Sequence, residues 1–366
     1  MDKVYTAIGL MSGTSMDGID ASIIRSDGEK LIEIKKDLYV PYDDEFKQRL
    51  NKYIKSVNSI ENIKCDKEKY NDLEKELTIK HSEIANKIIE ENGNEEIELI
   101  GFHGQTIIHR PQDQYSIQMG DAEKLSQLLK KKVIFNFRKK DIEHNGNGAP
   151  LAPIYHYNLS KNLNIPEPNI ILNIGGITNF TYIKDNILKA KDIGPGNVLM
   201  DEYIKKIKKI DYDKNGILAA YGTINHDIIN HFIKHKHFNY QNKHSLNRND
   251  FDYSFVQGLN FEDAIATLTY LTANIIAKYI SKNFEKNLSI ILCGGGRKNK
   301  TLIKFLKELT NKKISNIDNF GVDGDYIESQ AFGYLAIRSY LKKNISFPET
   351  TKTKKPISGG ELIINF

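Results

Sequence analysis

Asp192 is the foremost acid–base candidate in this chain. It lies in KDIGPGNVLMDE, after a β-rich run and before Pro195 and Gly196, with Asn197 placed to cap a helix starting near Val198. A carboxylate at a strand end beside a helix N-terminus stays ionised and can accept a proton. The same position also suits a plain turn or cap aspartate. Glu328 in YIESQAFGY opens the last long helix, where a first-turn carboxylate is in any case favourable to the helix dipole. Asp201 in VLMDE reads as a supporting group or a surface charge. His103 and His109 in GFHGQTIIHR have no Cys or second carboxylate beside them, so they do not read as a metal pair. Arg138 and Asp141 in NFRKKDIEHNGNGAPL precede a Gly-rich link, either touching a substrate or bridging two halves of the chain.

Around these residues run five Gly-rich polar turns, each expected at a strand end: Ser12–Gly18, Gly101–Thr106, Gly175–Asn179, Gly194–Asn197 and Gly294–Arg297. In GLMSGTSMDGID, Gly13 and Gly18 permit close approach of a ligand, and successive N–H groups can form an anion-binding nest to which hydroxyls add donors. Gly175 and Gly176 in LNIGGITN can bring N–H groups onto phosphate oxygens, and Gly294–Gly296 in LCGGGRKN leave room for a base or ribose beside a helix N-terminus. Neither G-x-x-x-x-G-K-[ST] nor a helix-opening G-x-G-x-x-G after the first strand occurs, which argues against a P-loop and a Rossmann dinucleotide site. Taken together, the turns read as one polyphosphate-lined cleft.

The elements that must position them follow from periodicity. Val4–Leu10, Ile19–Ser26 and Leu31–Tyr39 are strand-like with short connections, so an antiparallel meander is expected. Asp43–Lys55 and Lys67–Asn92 are helical, the latter with Leu73, Leu77, Ile84 and Ile88 on one stripe. Leu99–His103 is a strand, Ile107–Gly120 a hairpin, Ala122–Lys131 a helix and Val133–Phe137 a strand. The pattern then recurs: Ile170–Ile174, Thr178–Ile183 and Ile187–Asp192 are short strands, followed by helices Asn197–Lys208 and Phe261–Asn283, strand Leu288–Cys293, helix Lys300–Thr310, strand Lys313–Ile317 and helix Tyr326–Lys343. A duplicated α/β fold is expected, with mixed sheets flanked by helices and a ligand in the cleft between the halves. The boundary falls near Lys161–Pro168. The first lobe takes residues 1–162 plus 344–366 and the second 163–343, the tail returning to the first half.

At 366 residues and 40% hydrophobic, the chain can bury the cores of about two domains. The net charge of +5 is mild and the lysines are scattered, so nucleic acid is not an expected partner. Cys65 and Cys293 form no CxxC, which points away from a disulfide framework or zinc and towards a reducing cytosol. No charged leader precedes the first strand and no stretch reaches the roughly 20 apolar residues of a membrane span, so a cytoplasmic protein is expected.

Nearly end to end, the chain resembles the anhydro-N-acetylmuramic acid kinases of the sugar kinase/Hsp70/actin superfamily. The resemblance runs through GLMSGTSMDGID, GFHGQTIIHRP, NFRKKDIEHNGNGAPLAP, LNIGGITN, DIGPGNVLMDE, LCGGGRKN and ESQAFGYLAIR, with MSGTSMDGID and GPGNVLMD its specific strings. It implies two actin-like ATPase (ribonuclease H-like) lobes closing on ATP. It also implies conversion of 1,6-anhydro-N-acetylmuramic acid, ATP and water to N-acetylmuramic acid 6-phosphate in peptidoglycan recycling. The ATP loop then falls on Gly13, Thr14, Ser15, Met16, Asp17, Gly18, Ile19 and Asp20, joined by Gly175, Gly176 and Gly294–Gly296, with Mg²⁺ as the companion ion and its protein ligands unassigned. Asp192 becomes the base that takes a proton from the attacking water, and Glu328 helps orient that water. Substrate contacts are assigned to His103, Gln105, Arg138, Gly196 and Asn197; a homodimer is one possible assembly, and the sequence leaves the oligomeric state open. The chain departs from the family at Asn145, Gly146, Asn147 and Gly148, where GGQGAPL is usual, and at Lys243, His244, Ser245, Leu246, Asn247 and Arg248, where Lys-Ser-Thr-Gly-Arg is usual. Two other readings compete. One is an ordinary sugar or carboxylate kinase that leaves an anhydro bridge intact; the other is an actin- or chaperone-like ATP-binding module without a sugar.

Overall fold

The computed structural model describes residues 3–13, 15–93, 95–234, 246 and 250–366. Thr14 and the positions Lys243, His244, Ser245, Asn247 and Arg248 lie outside the described residues. The chain divides into two units, Met1–Asn164 with Tyr326–Phe366, and Ile165–Asp325.

The first unit opens with β1 (Tyr5–Ser12), β2 (Gly18–Ser26) and β3 (Ile32–Pro41), an antiparallel meander. β4 (Leu99–Arg110) then lies parallel to β1, β5 (Tyr115–Met119) folds back on β4, and β6 (Lys132–Phe135) is parallel to β4. The second unit repeats this with β7 (Asn169–Ile174), β8 (Ile177–Lys184) and β9 (Ile187–Pro195) as the meander. Its β10 (Ser289–Cys293) is parallel to β7 and β11 (Lys313–Asn316) parallel to β10. Near the end of the chain, β12 (Glu361–Ile363) pairs antiparallel with β6. The sheet orders β12-β6-β4-β1-β2-β3 and β11-β10-β7-β8-β9 therefore share one topology, third-second-first-fourth outward from the meander. This is the duplicated actin-like ATPase fold.

Helix Lys67–Glu91 buries Leu73, Leu77, Ile84 and Ile88 in the first core, along with one polar residue of the same stripe, His81. Helix Phe261–Asn283 is the spine of the second core and is capped by Asn260, whose side chain accepts from the Asp263 N–H. Among the described residues, no helix is long and apolar enough to cross a membrane.

Two expectations need correction. Residues Gly101–Thr106 are not a turn: β4 runs through them, and a bulge opposite Leu10–Ser12 absorbs the irregularity, with Gly104 at φ +70°. A Cβ on Gly104 would lie 2.4 Å from the Met119 carbonyl oxygen, so this glycine serves the β4–β5 pairing. The last long helix, Ile327–Tyr340, belongs to the first unit and not to the second. Its backbone packs directly on the first sheet. A Cβ on Gly9 would sit 1.8 Å from the Ser329 carbonyl oxygen and 2.3 Å from the Gly333 nitrogen, and one on Gly101 would sit 2.2 Å from the Phe332 carbonyl oxygen. Apolar periodicity could not assign this helix to a sheet because the contact is made by missing side chains.

Candidate active site

In the first unit the β1–β2 turn is held by a polar network. The buried His81 ring donates from Nδ1 to the Leu77 carbonyl (2.8 Å), so its Nε2 accepts from Ser12 Oγ (2.7 Å), which in turn accepts from Tyr42 Oη (3.1 Å). Burial lowers the His81 pKa to about 4, which keeps it neutral and preserves this direction. The Ser12 hydroxyl is therefore committed inside the fold and is not among the donors that the sequence suggested. The Gly13 carbonyl accepts from Met16 N–H (3.1 Å) and Gln105 Nε2 (3.2 Å), and Met16 takes φ +55° to close the turn. Ser15 Oγ donates to Asp17 Oδ1 (2.6 Å), while the Asp17 carbonyl accepts from Tyr42 N–H (2.9 Å) and Tyr39 Oη (3.0 Å). Gly18 abuts Val40, Ile19 points into the core and Asp20 pairs with Met11, so these three can offer a ligand little beyond their backbone and the Asp20 carboxylate.

Gln105 is 1% exposed, yet its Oε1 has no partner among the described residues. Its neighbour in β4, His103, donates from Nδ1 to the Gly104 carbonyl (2.7 Å) and accepts at Nε2 from Arg138 Nη2 (2.9 Å). Burial drives the His103 pKa well down, with Arg138 adding to the effect. Both ring nitrogens are engaged, so His103 acts on Arg138 and offers no free nitrogen. Arg138 also donates from Nη1 to the Gly148 carbonyl (2.7 Å). Asp141 does not bridge the halves: it is buried within the first unit, where it accepts from the Gly148 N–H and from Thr351 Oγ1 (both 2.6 Å). Glu328 is in the first turn of its helix with its side chain reaching solvent.

In the second unit Asp192 lies three residues before the end of β9, opposite Asn179. Its Oδ2 accepts from the Leu246 N–H (2.8 Å). Burial pushes its pKa up to about 6, while that N–H and Lys191 oppose the rise. The sequence reading had a helix N-terminus keeping it ionised; a single N–H, that of Leu246, does that work in part. Asn197 stands at the helix start by position only. Its Nδ2 donates to the Ile174 carbonyl (3.4 Å), and no side-chain cap forms. The N–H groups of Gly196, Asn197 and Val198 donate to the carbonyls of Gly175 and Gly176 (2.8–3.2 Å), which zips the two turns together. A Cβ on Gly196 would lie 2.2 Å from the Gly175 carbonyl oxygen.

The glycines of these turns fall into two kinds. Gly18, Gly194, Gly196, Gly294 and Gly296 are required by their neighbours, with a Cβ meeting protein atoms at 2.2–2.9 Å. Gly13, Gly175 and Gly295 are not. A Cβ would meet nothing closer than Ser15 Oγ at 3.5 Å, the Ile177 carbonyl oxygen at 3.6 Å and Asn197 Nδ2 at 3.9 Å, respectively, and none of the three has positive φ. Space that a Cβ would fill, at strand-end turns, is the cradle that a phosphate or nucleoside needs. Gly13 and Gly175 also occupy the same place in the two copies of the fold, after the first strand of each meander.

Helix Lys300–Thr310 is capped by Asn299, whose side chain accepts from the Leu302 N–H (2.9 Å). Sequence reasoning missed the Tyr42–Ser12–His81 chain and the surroundings of Arg297. The only signal for His81 was a polar residue interrupting an apolar stripe; Arg297 carried none, because its partners, Asp318, Asp323 and Asp325, lie 21, 26 and 28 residues downstream.

Comparison with known proteins gives a family model described as anhydro-N-acetylmuramic acid kinase, matching residues 5–364. The chain is 47% identical over 376 residues to the anhydro-N-acetylmuramic acid kinase of Pelagibacter ubique (strain HTCC1062), covering 100% of both chains. It is 38% identical over 363 residues to the protein of that name from Zymomonas mobilis subsp. mobilis, covering 97% of this chain and 99% of the relative. With the protein of that name from Brucella canis it shares 36% identity over 368 residues, covering 98% and 99%.

Proposed function

Since the chain belongs to the anhydro-N-acetylmuramic acid kinase family, we propose that Asp192 is the base with which it opens the anhydro bridge of its sugar. The protein is an ATP-using kinase acting on anhydro-N-acetylmuramic acid in cell-wall recycling. Asp192 takes a proton from water as the water oxygen attacks the anomeric carbon. The bond from that carbon to the bridging C6 oxygen breaks, and the C6 oxygen attacks the γ-phosphorus of ATP, releasing ADP. One carboxylate thus serves as half of an inverting glycosidase, the phosphoryl group taking the place of the general acid.

The observation that carries this reading is the state of Asp192. One oxygen is held by a backbone N–H, and the other is engaged by no described residue. With a pKa of about 6 the carboxylate is about nine-tenths ionised at neutral pH yet basic enough to accept a proton. Glu328, in the first turn of its helix with its side chain reaching solvent, is proposed to orient the water. The open positions at Gly13 and Gly175 support phosphate binding by those turns, and the one at Gly295 supports a base or ribose there. Gln105 Oε1 and Arg138 are proposed sugar contacts, with His103 holding Arg138 in place.

Mg²⁺ is proposed to accompany ATP. It draws most of its oxygens from phosphates and water, so one or two carboxylates suffice, and Asp17 on the first turn and Asp20 in β2 are suited to that part. A cytoplasmic homodimer is also proposed. Cys65 and Cys293 form no CxxC, as suits a reducing compartment, and Ile207, Ile210, Tyr212, Ile217 and Tyr221 expose apolar surface within one stretch of the second unit. The purified protein incubated with ATP and the anhydrosugar tests the reaction: the product should have gained one phosphoryl group and one water, with the phosphate ester on C6. A phosphorylated product that keeps the bridge would establish an ordinary hydroxyl kinase instead.

A further inference from the structure

The buried group with the densest set of partners in the second unit is a cation outside the chemistry described above. Arg297 follows the three glycines of the β10 turn, and its side chain is 3% exposed. Nε and Nη2 donate to the two oxygens of Asp318 (2.7 and 2.8 Å), the fork geometry that a guanidinium alone can match. Nη2 donates further to Asp323 Oδ1 (2.9 Å), and Nη1 donates to Asp325 and to the Gly294 carbonyl (3.2 Å). All five guanidinium N–H groups are thereby used.

The backbone is clamped at the same point. The Gly294 N–H donates to the Gly324 carbonyl (3.0 Å), and the Arg297 N–H returns to the Gly294 carbonyl (3.2 Å). Gly324 cannot carry a side chain, since a Cβ would lie 2.6 Å from Arg297 Nε. Residues 318–325 are thus lashed to the glycine turn through one guanidinium. Gly294 itself is held at φ +75°, with a Cβ excluded by Asn173 Oδ1 at 2.2 Å. A turn fixed on both sides in this way presents Gly295, its open member, in one orientation.

The charges point the same way. Asp318, Asp323 and Asp325 face Arg297 and Lys298, three negative groups against two positive ones. An acidic surplus disfavours a polyphosphate at this turn and tolerates an uncharged base and ribose.

We propose that Arg297 is a positioning residue for the nucleotide, holding the Gly294–Gly296 turn in the shape that receives the nucleoside end of ATP. This rests on the reading that Gly295 lies against the nucleotide, and the test separates the two. The full chain is titrated by calorimetry with a non-hydrolysable ATP analogue, and steady-state kinetics are run with ATP and the anhydrosugar. Gly295→Val, which has room in the fold, tests the reading: weaker analogue binding supports it, and unchanged binding overturns it and the role of Arg297 with it. With that reading upheld, Arg297→Met should raise the analogue Kd and the KM for ATP by roughly tenfold or more, the worth of a lost charged hydrogen bond. It should leave kcat and the KM for the anhydrosugar within about twofold, a split that general unfolding would not produce. Where Arg297→Met fails to fold, Asp318→Asn, which breaks the fork and keeps an acceptor, should give the same split. A folded variant with unchanged ATP affinity, or with both KM values raised in proportion, overturns the proposal.

Discussion

A carboxylate that must take a proton from water needs to be ionised but not strongly so, and Asp192 meets both demands through burial rather than through a neighbouring charge. Replacing it with Asn should leave the fold and ATP binding intact and lower kcat by roughly 10²–10⁴-fold, the range for a lost general base. Near-normal turnover would move the base to Glu328. The raised pKa also fixes a pH dependence. The active form is deprotonated, so kcat/KM should fall about tenfold per unit below pH 6, where an ordinary aspartate would hold activity down to about pH 4. A pH–rate profile flat from pH 7 to pH 5 would contradict the assignment. At this scale the sequence showed which residue to choose but not the reason. Proximity to Pro195, Gly196 and Asn197 suggested a helix N-terminus, whereas the partner is the Leu246 N–H, 54 residues away.

The strands and long helices were legible because their apolar periods are clean, and the two meanders announced the duplication. What stayed hidden was the packing that depends on a missing side chain. Gly9, Gly101 and Gly333 bring helix Ile327–Tyr340 onto the first sheet, and Gly104 sits in a bulge that reads as a turn. The two kinds of glycine can be told apart by experiment. Gly175→Val and Gly13→Val should keep their melting temperatures and lose affinity for an ATP analogue. Gly9→Val, whose Cβ would overlap the helix backbone, should instead cost stability on the scale of core overpacking, about 1–3 kcal/mol or more. Calorimetry and thermal melts on the three variants check this, and unchanged affinity in both turn variants would leave those turns structural.

Across the whole molecule, the same economy of burial sets the response to acid. His81 is fully buried with a pKa of about 4, below its ordinary 6.5. Its native form refuses a proton that the unfolded chain accepts, so its contribution is complete above pH 6.5 and is lost as pH falls towards 4, at about 1.4 kcal/mol per unit. Unfolding followed against pH should show that loss, and His81→Gln should reduce the slope by about one proton; an unaltered slope would mean that the ring is charged in the native state. The account as a whole stands on one chemical claim, that water attacks carbon while the bridge oxygen takes the phosphoryl group. The direct measurement is to run the reaction in water labelled with heavy oxygen and locate the label by mass spectrometry. The label should appear in the anomeric hydroxyl of the sugar phosphate, in the α-anomer first if the attack inverts, with none in the phosphate or at C6. Label in inorganic phosphate, or an unlabelled sugar that still carries the bridge, would contradict it.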